Sequence, residues 1–173
     1  ATRASNIINP TDTPEQAQQR HVLIAKWKEA GLIEAFIGFE SFSPTQQQRY
    51  GIDPSRTPSS TKSKKSAQAN LDVLKVMKEN GIHVTAGFIP IDPLMEDLGE
   101  LEANLKGLRD TDLWKYVMDS FHLMRVTEGT PYKTLCEKRD VKLGKLSDFQ
   151  FYDAGFLDPV VGEIAKLTSK RKK

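Results

Sequence analysis

The sequence predicts an α/β fold: a partial TIM-like barrel, about half of one, with parallel strands and outer helices, followed by an irregular and helical C-terminal extension. Short apolar segments alternate with amphipathic helical segments along residues 1–126, which is typical of strand–helix–strand units. The apolar segments are nearly continuous runs, the pattern of parallel strands buried on both faces. A chain of 173 residues is long enough to bury a core without disulfide staples.

The first strand is predicted at 3–8, "RASNII". Residues 14–31 follow as a helix, with a proline near its start and Gly31 as its stop. A helical stripe of apolar residues supports this helix: Val22, Leu23, Ala25 and Trp27. The second strand is the apolar run 32–39, "LIEAFIGF", and the polar stretch 43–66 after it is predicted to be a surface loop.

The second helix is predicted at 67–81, since it ends on the Asn80–Gly81 pair that favours a helix terminus. Residues 82–91 form the third strand, which two prolines stop. The third helix, 95–110, carries a leucine stripe made of Leu98, Leu101, Leu105 and Leu108. A fourth strand at 114–126 completes four strands and three crossovers, about half of an eight-stranded barrel.

The second segment, 127–173, changes in pattern and is predicted to pack on the sheet. It contains a turn with a short helix, an aromatic-rich stretch and a C-terminal helix that covers the sheet. The basic tail 169–173 holds four positive charges. Subtracting these four from the net charge of +2 leaves −2, and a weakly acidic body indicates no nucleic-acid surface.

The composition indicates a cytoplasmic globular protein. No apolar run approaches the roughly 20 residues that a membrane-spanning helix needs. One cysteine, Cys136, cannot form an internal disulfide, which favours a reducing compartment. Three scattered histidines, His21, His83 and His122, do not make metal-ligand spacing, so no metal site is predicted in this chain.

Polar residues follow each predicted strand, and in parallel α/β sheets ligands bind at the carboxyl ends of the strands. These ends are Asn9–Pro10, Glu40–Ser41, Ile91–Asp92 and Arg125–Thr127. The strand "FIGFES" (36–41) stops on a carboxylate and a hydroxyl. We therefore expect a binding site at this edge.

Three motifs, in order, resemble those of radical S-adenosylmethionine enzymes. "GLIEAFIGFES" resembles the family strand written glycine-leucine, a spacer, then isoleucine-glycine-(any)-glutamate-serine. "AQANLDVLKVMKENGIHVTAGFIPIDP" is similar to the next helix and strand, and "FHLMRVTEGTPYKTL" to the strand and glycine-threonine-proline turn after them. The order is most similar to the members that carry a cobalamin-binding domain. The resemblance spans roughly residues 2–135.

The resemblance implies a partial barrel that holds S-adenosylmethionine, which a four-iron cluster cleaves to a 5′-deoxyadenosyl radical. It implies that Glu40 and Ser41 meet the ribose or amino-acid end of this nucleotide. Arg3 would face its methionine carboxylate. The strand containing Phe88 and Ile89 would pack against adenine, and the backbone near Leu123 and Arg125 would read the edge of the ring.

The chain departs from the family in its cysteines. A family cluster loop has three cysteines in a three-then-two spacing, and Cys136 alone cannot ligate a 4Fe-4S cluster. The cluster ligands, and any cobalamin, are therefore expected outside this chain, in an N-terminal half of the same enzyme. A start at Ala1 without a methionine supports a fragment, and an open sheet edge at 3–8 would favour self-association. The substrate is expected to be a small or lipid-like molecule.

Alternatives remain open for several residues. Glu40 is either a ligand contact or a cap of the following turn, and Arg3 either binds or is merely solvated. Asp92 is a substrate contact or an Asp–Pro turn former, with the turn favoured. For the chain as a whole, the alternatives are a non-catalytic half-barrel scaffold or partner-binding module and a lysine-dependent lyase, for which Lys115 is the one candidate lysine on a strand.

Overall fold

The structure, a computed structural model, describes residues 2–9, 12–51, 60–117 and 123–170. Its centre is a three-stranded parallel sheet with the order β1 (Thr2–Arg3), β2 (Glu34–Glu40), β3 (His83–Phe88). Isolated parallel bridges from Ala86 to Val117 and from Ile91 to Leu123 continue the sheet beyond β3. The predicted α/β class with parallel strands is confirmed.

Five α-helices accompany these strands in the described part of residues 1–117. Three of them begin at residues whose side chains cap the helix, as the sequence favours. At Thr13 the hydroxyl accepts from Gln16 N at 3.3 Å while Gln16 Oε1 accepts from Thr13 N at 2.9 Å, a complete capping box. The helices are α1 (Ala4–Ile7), α2 (Pro14–Glu29), α3 (Pro44–Arg49), α4 (Ser60–Glu79) and α5 (Leu98–Asp110), the last followed by a 3₁₀ turn (Leu113–Tyr116).

The main core lies on one face of the parallel sheet. Side chains alternate between the two faces of a strand, so Ile37 and Phe39 of β2 share this face. They pack with apolar residues from four of the five helices, α1, α2, α4 and α5. The sheet residues in this core are Ile37, Phe39, Val84, Ala86 and Phe88, and the helical ones include Ile7, Ile24, Val73, Met77 and Leu108.

The opposite face of the sheet is made by residues of the other alternation. Phe36 lies on it and is 47 % exposed. Thr85 donates to Glu34 Oε1 at 2.7 Å on the same face. The expectation that the strands are buried on both faces is therefore wrong for Glu34 and Phe36, which are exposed, whereas Gly38 and Thr85 on the same face are buried.

The C-terminal segment contains a second sheet that the sequence analysis did not predict. The strands β4 (Val126–Thr127), β5 (Leu143–Leu146) and β6 (Phe151–Ala154) pair antiparallel in the order β4-β6-β5. The helix α6 (Pro131–Lys138) lies between β4 and β5, and α7 (Pro159–Lys170) follows β6. Strands of four residues are too short to show a clear period of two, so the sequence predicts only an irregular extension here.

The C-terminal helix α7 packs on the connection after β3. Its residues Val161 and Ala165 form a cluster with Ile91, Met95 and Leu101. Helix α7 therefore packs on the connection between β3 and α5 and on Leu101 of α5.

Three predicted elements have different bounds in the structure. The first strand, expected at 3–8, is limited to β1, because Ala4–Ile7 turns into α1 and buries Ala4 and Ile7. The fourth strand, expected at 114–126, is replaced at its start by the 3₁₀ turn, and 118–122 lie outside the described residues. The predicted loop 43–66 contains α3 and the first residues of α4, while 52–59 lie outside the described part.

Within the described residues, no helix combines the length and the apolar character that crossing a membrane requires.

Candidate functional site

Glu40 stands at a distorted strand end. Its φ is +62°, in the left-handed region, and Ser41 N donates to Phe39 O at 2.8 Å, which closes a three-residue γ-turn centred on Glu40. The register of β2 against β3 shifts between Gly38 and Glu40, so the strand also bulges here. A residue with a Cβ is rare in this conformation and persists only where neighbours enforce it.

The Glu40 side chain folds back over Gly38. A Cβ added at Gly38 would lie 2.3 Å from Glu40 Oε1, so only glycine leaves room for this carboxylate. Arg3 is paired in register with Gly38 on the neighbouring strand and is the cation beside it. Burial raises the pKa of the Glu40 carboxyl, and the charge of Arg3 partly offsets this. Among the described residues, the Glu40 carboxylate has no hydrogen-bond partner.

On the second face of the sheet, two paired glycines lie next to this carboxylate. Gly38 of β2 pairs with Gly87 of β3, so two adjacent positions lack side chains. The Phe36 ring covers Gly87, since a Cβ there would lie 2.7 Å from Phe36 Cζ. The two glycines therefore leave room for the Glu40 carboxylate and the Phe36 ring, which lie over them with Arg3 alongside.

Ser41 is buried, and its hydroxyl forms hydrogen bonds with other buried groups of the protein. It lies 2.8 Å from Gln46 Oε1 and 2.9 Å from Asn104 Oδ1, the amide oxygens to which it can donate, and it accepts from Ser43 N at 2.9 Å. Gln47 Nε2 donates to Ser41 O. This hydroxyl therefore supports the strand end from within.

Asn104 joins the carboxyl ends of β2 and β3. It is fully buried on α5, and its Oδ1 accepts from Phe42 N at 2.7 Å and from Ser43 N at 3.1 Å. Its Nδ2 donates to Pro90 O at 3.0 Å and to Gln46 Oε1 at 2.6 Å. A single amide thus satisfies backbone groups of both strand ends.

Gln46 makes the corresponding link from α3. Its Nε2 donates to Ile89 O at 2.8 Å and to Tyr50 Oη at 2.6 Å. Ile89 N in turn donates to Glu40 O at 2.7 Å. Both main-chain polar groups of Ile89 are therefore occupied, and only its side chain is available to a ligand.

Asp92 anchors a buried ionic cluster behind the strand ends. Arg49 Nε and Nη2 each lie 3.2 Å from Asp92 Oδ2, and Nη2 lies 2.6 Å from Glu100 Oε2. Asp92 Oδ1 accepts from Leu94 N at 2.6 Å and from the Tyr132 hydroxyl. Burial alone would lower the pKa of Arg49, but the two carboxylates outweigh it and raise that pKa.

The Asp92 carboxylate is fully buried. The bond from Leu94 N is the turn that the sequence analysis favoured, and it coexists with the ion pair. Burial, followed by the charge of Asp92, raises the pKa of Tyr132, which therefore stays protonated and donates.

The remaining predicted site residues are distributed along the same edge. Phe88 is paired with Glu40 and is buried against Phe42, with ring centroids 5.5 Å apart. Leu123 lies beside Ile91 at the bridge beyond β3. Arg125 is exposed, and its guanidinium stacks on Phe151 at 4.6 Å, which turns it toward the second sheet.

The structure thus brings Arg3 and Glu40 together and places Ser41 and Asp92 inside the protein behind them. The sequence analysis missed the residues that hold this edge: Gln46, Arg49, Glu100, Asn104 and Tyr132. A signal existed for Asn104, because it replaces an apolar residue on the inner face of an amphipathic helix.

The metal-binding side chains of the described residues bear on the iron–sulfur cluster that the resemblance implies. Cys136 is buried, and burial raises the pKa of its thiol to about 11, so it is a poor metal ligand. In the described part of the chain, no group of three or more His, Cys, Asp or Glu residues could hold a metal ion. The described residues therefore do not provide the ligands of a 4Fe-4S cluster.

Comparison with solved structures identifies proteins of similar fold. The fold matches OxsB, a cobalamin-dependent S-adenosylmethionine radical enzyme, with a TM-score of 0.78 for the form with aqua-cobalamin and S-adenosylmethionine bound and 0.77 for the form with aqua-cobalamin alone. In both cases the match covers 95 % of this chain and 27 % of the OxsB chain at 23 % identity. The two chains therefore share a fold over nearly the whole of this one.

A curated relative gives the particular protein to which the sequence is similar. The 4′-phospho-dehydrooxetanocin synthase of Priestia megaterium is 35 % identical over 112 residues, which cover 65 % of this chain and 14 % of the synthase. The chain therefore spans only a small part of the length of this relative. No family model matches the sequence. Together, the two comparisons confirm the resemblance to radical S-adenosylmethionine enzymes with cobalamin-binding relatives.

Proposed function

We propose that this chain is a segment of a cobalamin-dependent radical S-adenosylmethionine enzyme and supplies nucleotide and substrate contacts at the carboxyl edge of its sheet. Its parallel strands, with helices on one face, would form about half of a TIM-like barrel. The cluster ligands and the cobalamin-binding domain would lie in an N-terminal part of the same cytoplasmic enzyme. The match to 14 % of the synthase and 27 % of OxsB supports a segment of a longer protein.

One observation carries the proposal: the Glu40 carboxylate, without a hydrogen-bond partner in the described chain, lies over Gly38 beside Arg3. A carboxylate accepts hydrogen bonds from a ribose diol or an ammonium group. A guanidinium at Arg3 matches the carboxylate of a methionine. A zwitterionic nucleoside such as S-adenosylmethionine offers all of these groups.

Some of the other candidate residues would contact the ligand directly, and others would hold the strand ends in place. Ile89 and Leu123 would contact adenine with their side chains, since the main-chain groups of Ile89 are already bonded. Phe88 would hold this part of β3 in place through its packing in the main core. Ser41 and Asp92 would act by holding the strand ends, and the backbone at Arg125 would border the ring.

S-adenosylmethionine supplies the radical chemistry of such enzymes when it is bound. The residues of this chain would bind and orient it. Glu40 would accept hydrogen bonds from its hydroxyl or ammonium groups, and Arg3 would bind its carboxylate. The Phe36 ring would keep water from the backbone at Gly87. The relative is named for a phosphorylated product, so we propose a small phosphorylated molecule as the substrate of the enzyme to which this chain belongs.

The proposal is tested by titrating the ¹⁵N-labelled chain with S-adenosylmethionine and following its amide resonances. We expect shifts at Arg3, Gly38, Glu40 and Gly87. Glu40→Gln should weaken binding by about tenfold, because a hydrogen bond to a charged group contributes about 1.5–3 kcal/mol. The matched control, Glu102→Gln on the exposed side of α5, should bind as the unchanged chain does.

Shifts that are absent, or that are confined to the helical face of the sheet, would overturn the proposal. The non-catalytic half-barrel scaffold or partner-binding module would then be the better explanation. Anaerobic iron–sulfur reconstitution gives an independent check, since a stoichiometric cluster retained by this chain would contradict ligands placed elsewhere.

A further inference from the structure

We propose that Asn104, on α5, is a positioning residue that forces Glu40 into its γ-turn and thereby aims the Glu40 carboxylate at the bound nucleotide. This inference rests on the proposed function for its ligand. Its structural half, the control of the Glu40 backbone, can be tested without any ligand.

The Glu40 conformation needs an external cause. A γ-turn with positive φ is rare and strained, and glycine would adopt it more readily than glutamate. Nothing in the local sequence "GFESF" favours it, since Glu40 is flanked by Phe39 and Ser41. Residues in such conformations persist where the surrounding structure over-determines them.

Asn104 supplies that surrounding structure on the C-terminal side of the turn. Phe42 N at 2.7 Å and Ser43 N at 3.1 Å both point at its Oδ1, as does the Ser41 hydroxyl at 2.9 Å. Three consecutive residues after Glu40 are thus gathered on one oxygen. The chain must turn sharply at Glu40 to bring them there.

The Nδ2 group of the same amide holds the Asn104 side chain in its orientation. Its Nδ2 donates to Pro90 O at 3.0 Å, at the end of the next strand, and to Gln46 Oε1 at 2.6 Å. An aspartate would place an oxygen against these two oxygens. A hydrophobic residue would leave the Phe42 N–H unpaired, while Ser43 N would keep its bond to Ser41 Oγ. A primary amide of this length meets both requirements.

The coupling to binding follows from the geometry at Gly38. The carboxylate reaches over Gly38 because the turn directs it back along the strand. Relaxation of Glu40 to extended backbone would withdraw the carboxylate from the Gly38–Gly87 pair. The ligand would then lose one charged hydrogen-bond acceptor while the rest of the sheet stays in place.

The first experiment measures the Glu40 backbone by its Cα and Cβ chemical shifts in the unliganded chain. We expect left-handed values in the unchanged chain and extended values in Asn104→Ala. The matched control is Asn80→Ala, which also removes an asparagine bonded to a main-chain carbonyl, Val76 O at 2.8 Å, but at the opposite end of the sheet. If Asn104→Ala does not fold, Asn104→Ser provides the same comparison with a smaller loss.

The second experiment is a double-mutant cycle on S-adenosylmethionine affinity. We expect Asn104→Ala to weaken binding about tenfold, which corresponds to about 1.4 kcal/mol, and to change it less than about twofold in a Glu40→Gln background. Equal factors in both backgrounds would show that Asn104 acts only on general stability. Unchanged Glu40 shifts in the folded variant would also overturn the inference.

The two experiments separate this inference from the proposed function. If the unchanged chain does not bind the nucleotide, the proposed function fails, and the chemical shifts still decide whether Asn104 positions Glu40. If the chain binds and Glu40→Gln weakens binding, but the cycle shows no coupling, the inference alone is overturned.

Discussion

The left-handed backbone at Glu40 predicts an inverted order of stability for two substitutions. Glu40→Gly and Glu40→Ala both remove the carboxylate and leave nearly the same space, so their difference isolates the backbone. In an ordinary strand the alanine variant is more stable, by about 0.5–1 kcal/mol. At φ +62° we expect the glycine variant to be the more stable one.

The size of the effect follows from two opposing terms. A Cβ in the left-handed region costs about 1–2 kcal/mol. Ordering a glycine costs about 0.5–1 kcal/mol more than ordering an alanine. The glycine variant should therefore be more stable by about 0.5–1 kcal/mol, a difference of about 1–4 °C in Tm for a chain of this size.

Urea unfolding of the two variants, followed by circular dichroism, measures this difference. Asp140 provides the control pair, because it is exposed, lies outside the candidate site and has a φ of +55°. If Asp140→Gly exceeds Asp140→Ala in stability while the Glu40 pair shows the ordinary order, the left-handed turn at Glu40 is refuted.

Three further predictions concern charge, packing and reactivity. Burial raises the pKa of the Glu40 carboxyl, so the stability it contributes is complete below its usual value of 4.5 and is lost as pH rises through the folded pKa. Glu40→Gln should therefore stabilise increasingly from pH 4.5 to pH 8 in urea unfolding. Gly107→Ala should destabilise by about 1–3 kcal/mol, because its Cβ would lie 2.2 Å from Phe42 Cγ, whereas Gly162→Ala should not. Cys136, buried and with a pKa of about 11, should react slowly with iodoacetamide at pH 8.

Each of these has a result that contradicts it. A Glu40→Gln effect that is the same at every pH would show that the carboxyl is solvated. Equal thermal shifts for Gly107→Ala and Gly162→Ala would mean that Phe42 has space to move. Alkylation of Cys136 in the folded chain at the rate of the urea-unfolded chain would show that its thiol is accessible.

The general arrangement could be predicted because its signals are local. The strand "AFIGFE" is recognisable from its own residues, and α2 from its capping residues and length. Glu40 could be expected at the edge where parallel strands bring their carboxyl ends together. The predicted strand 3–8 placed Arg3 at the opposite edge, and Arg3 lies beside Glu40 because β1 ends at Arg3. The side of each helix that faces the core was harder: Val22 and Leu23 are exposed, and Ile24 is buried.

The second sheet could not be predicted for a related reason. A strand of four residues such as β5 has little periodicity of its own. Its register depends on β6, which in turn pairs with Val126 and Thr127. Pairing between distant segments stabilises these strands, and a single short segment carries no record of its partner.

The sequence by itself determined the class of fold, the apolar strands and the acidic stop at Glu40, because these depend on residues close together in the chain. Only the tertiary structure decided the conformation of that stop. Asn104 lies 62 residues from Phe42 and Asp92 lies 43 residues from Arg49, yet they form single hydrogen-bonded groups. A buried amide or ion pair is specified by the geometry of several elements at once, so its partners are defined only after the chain has folded.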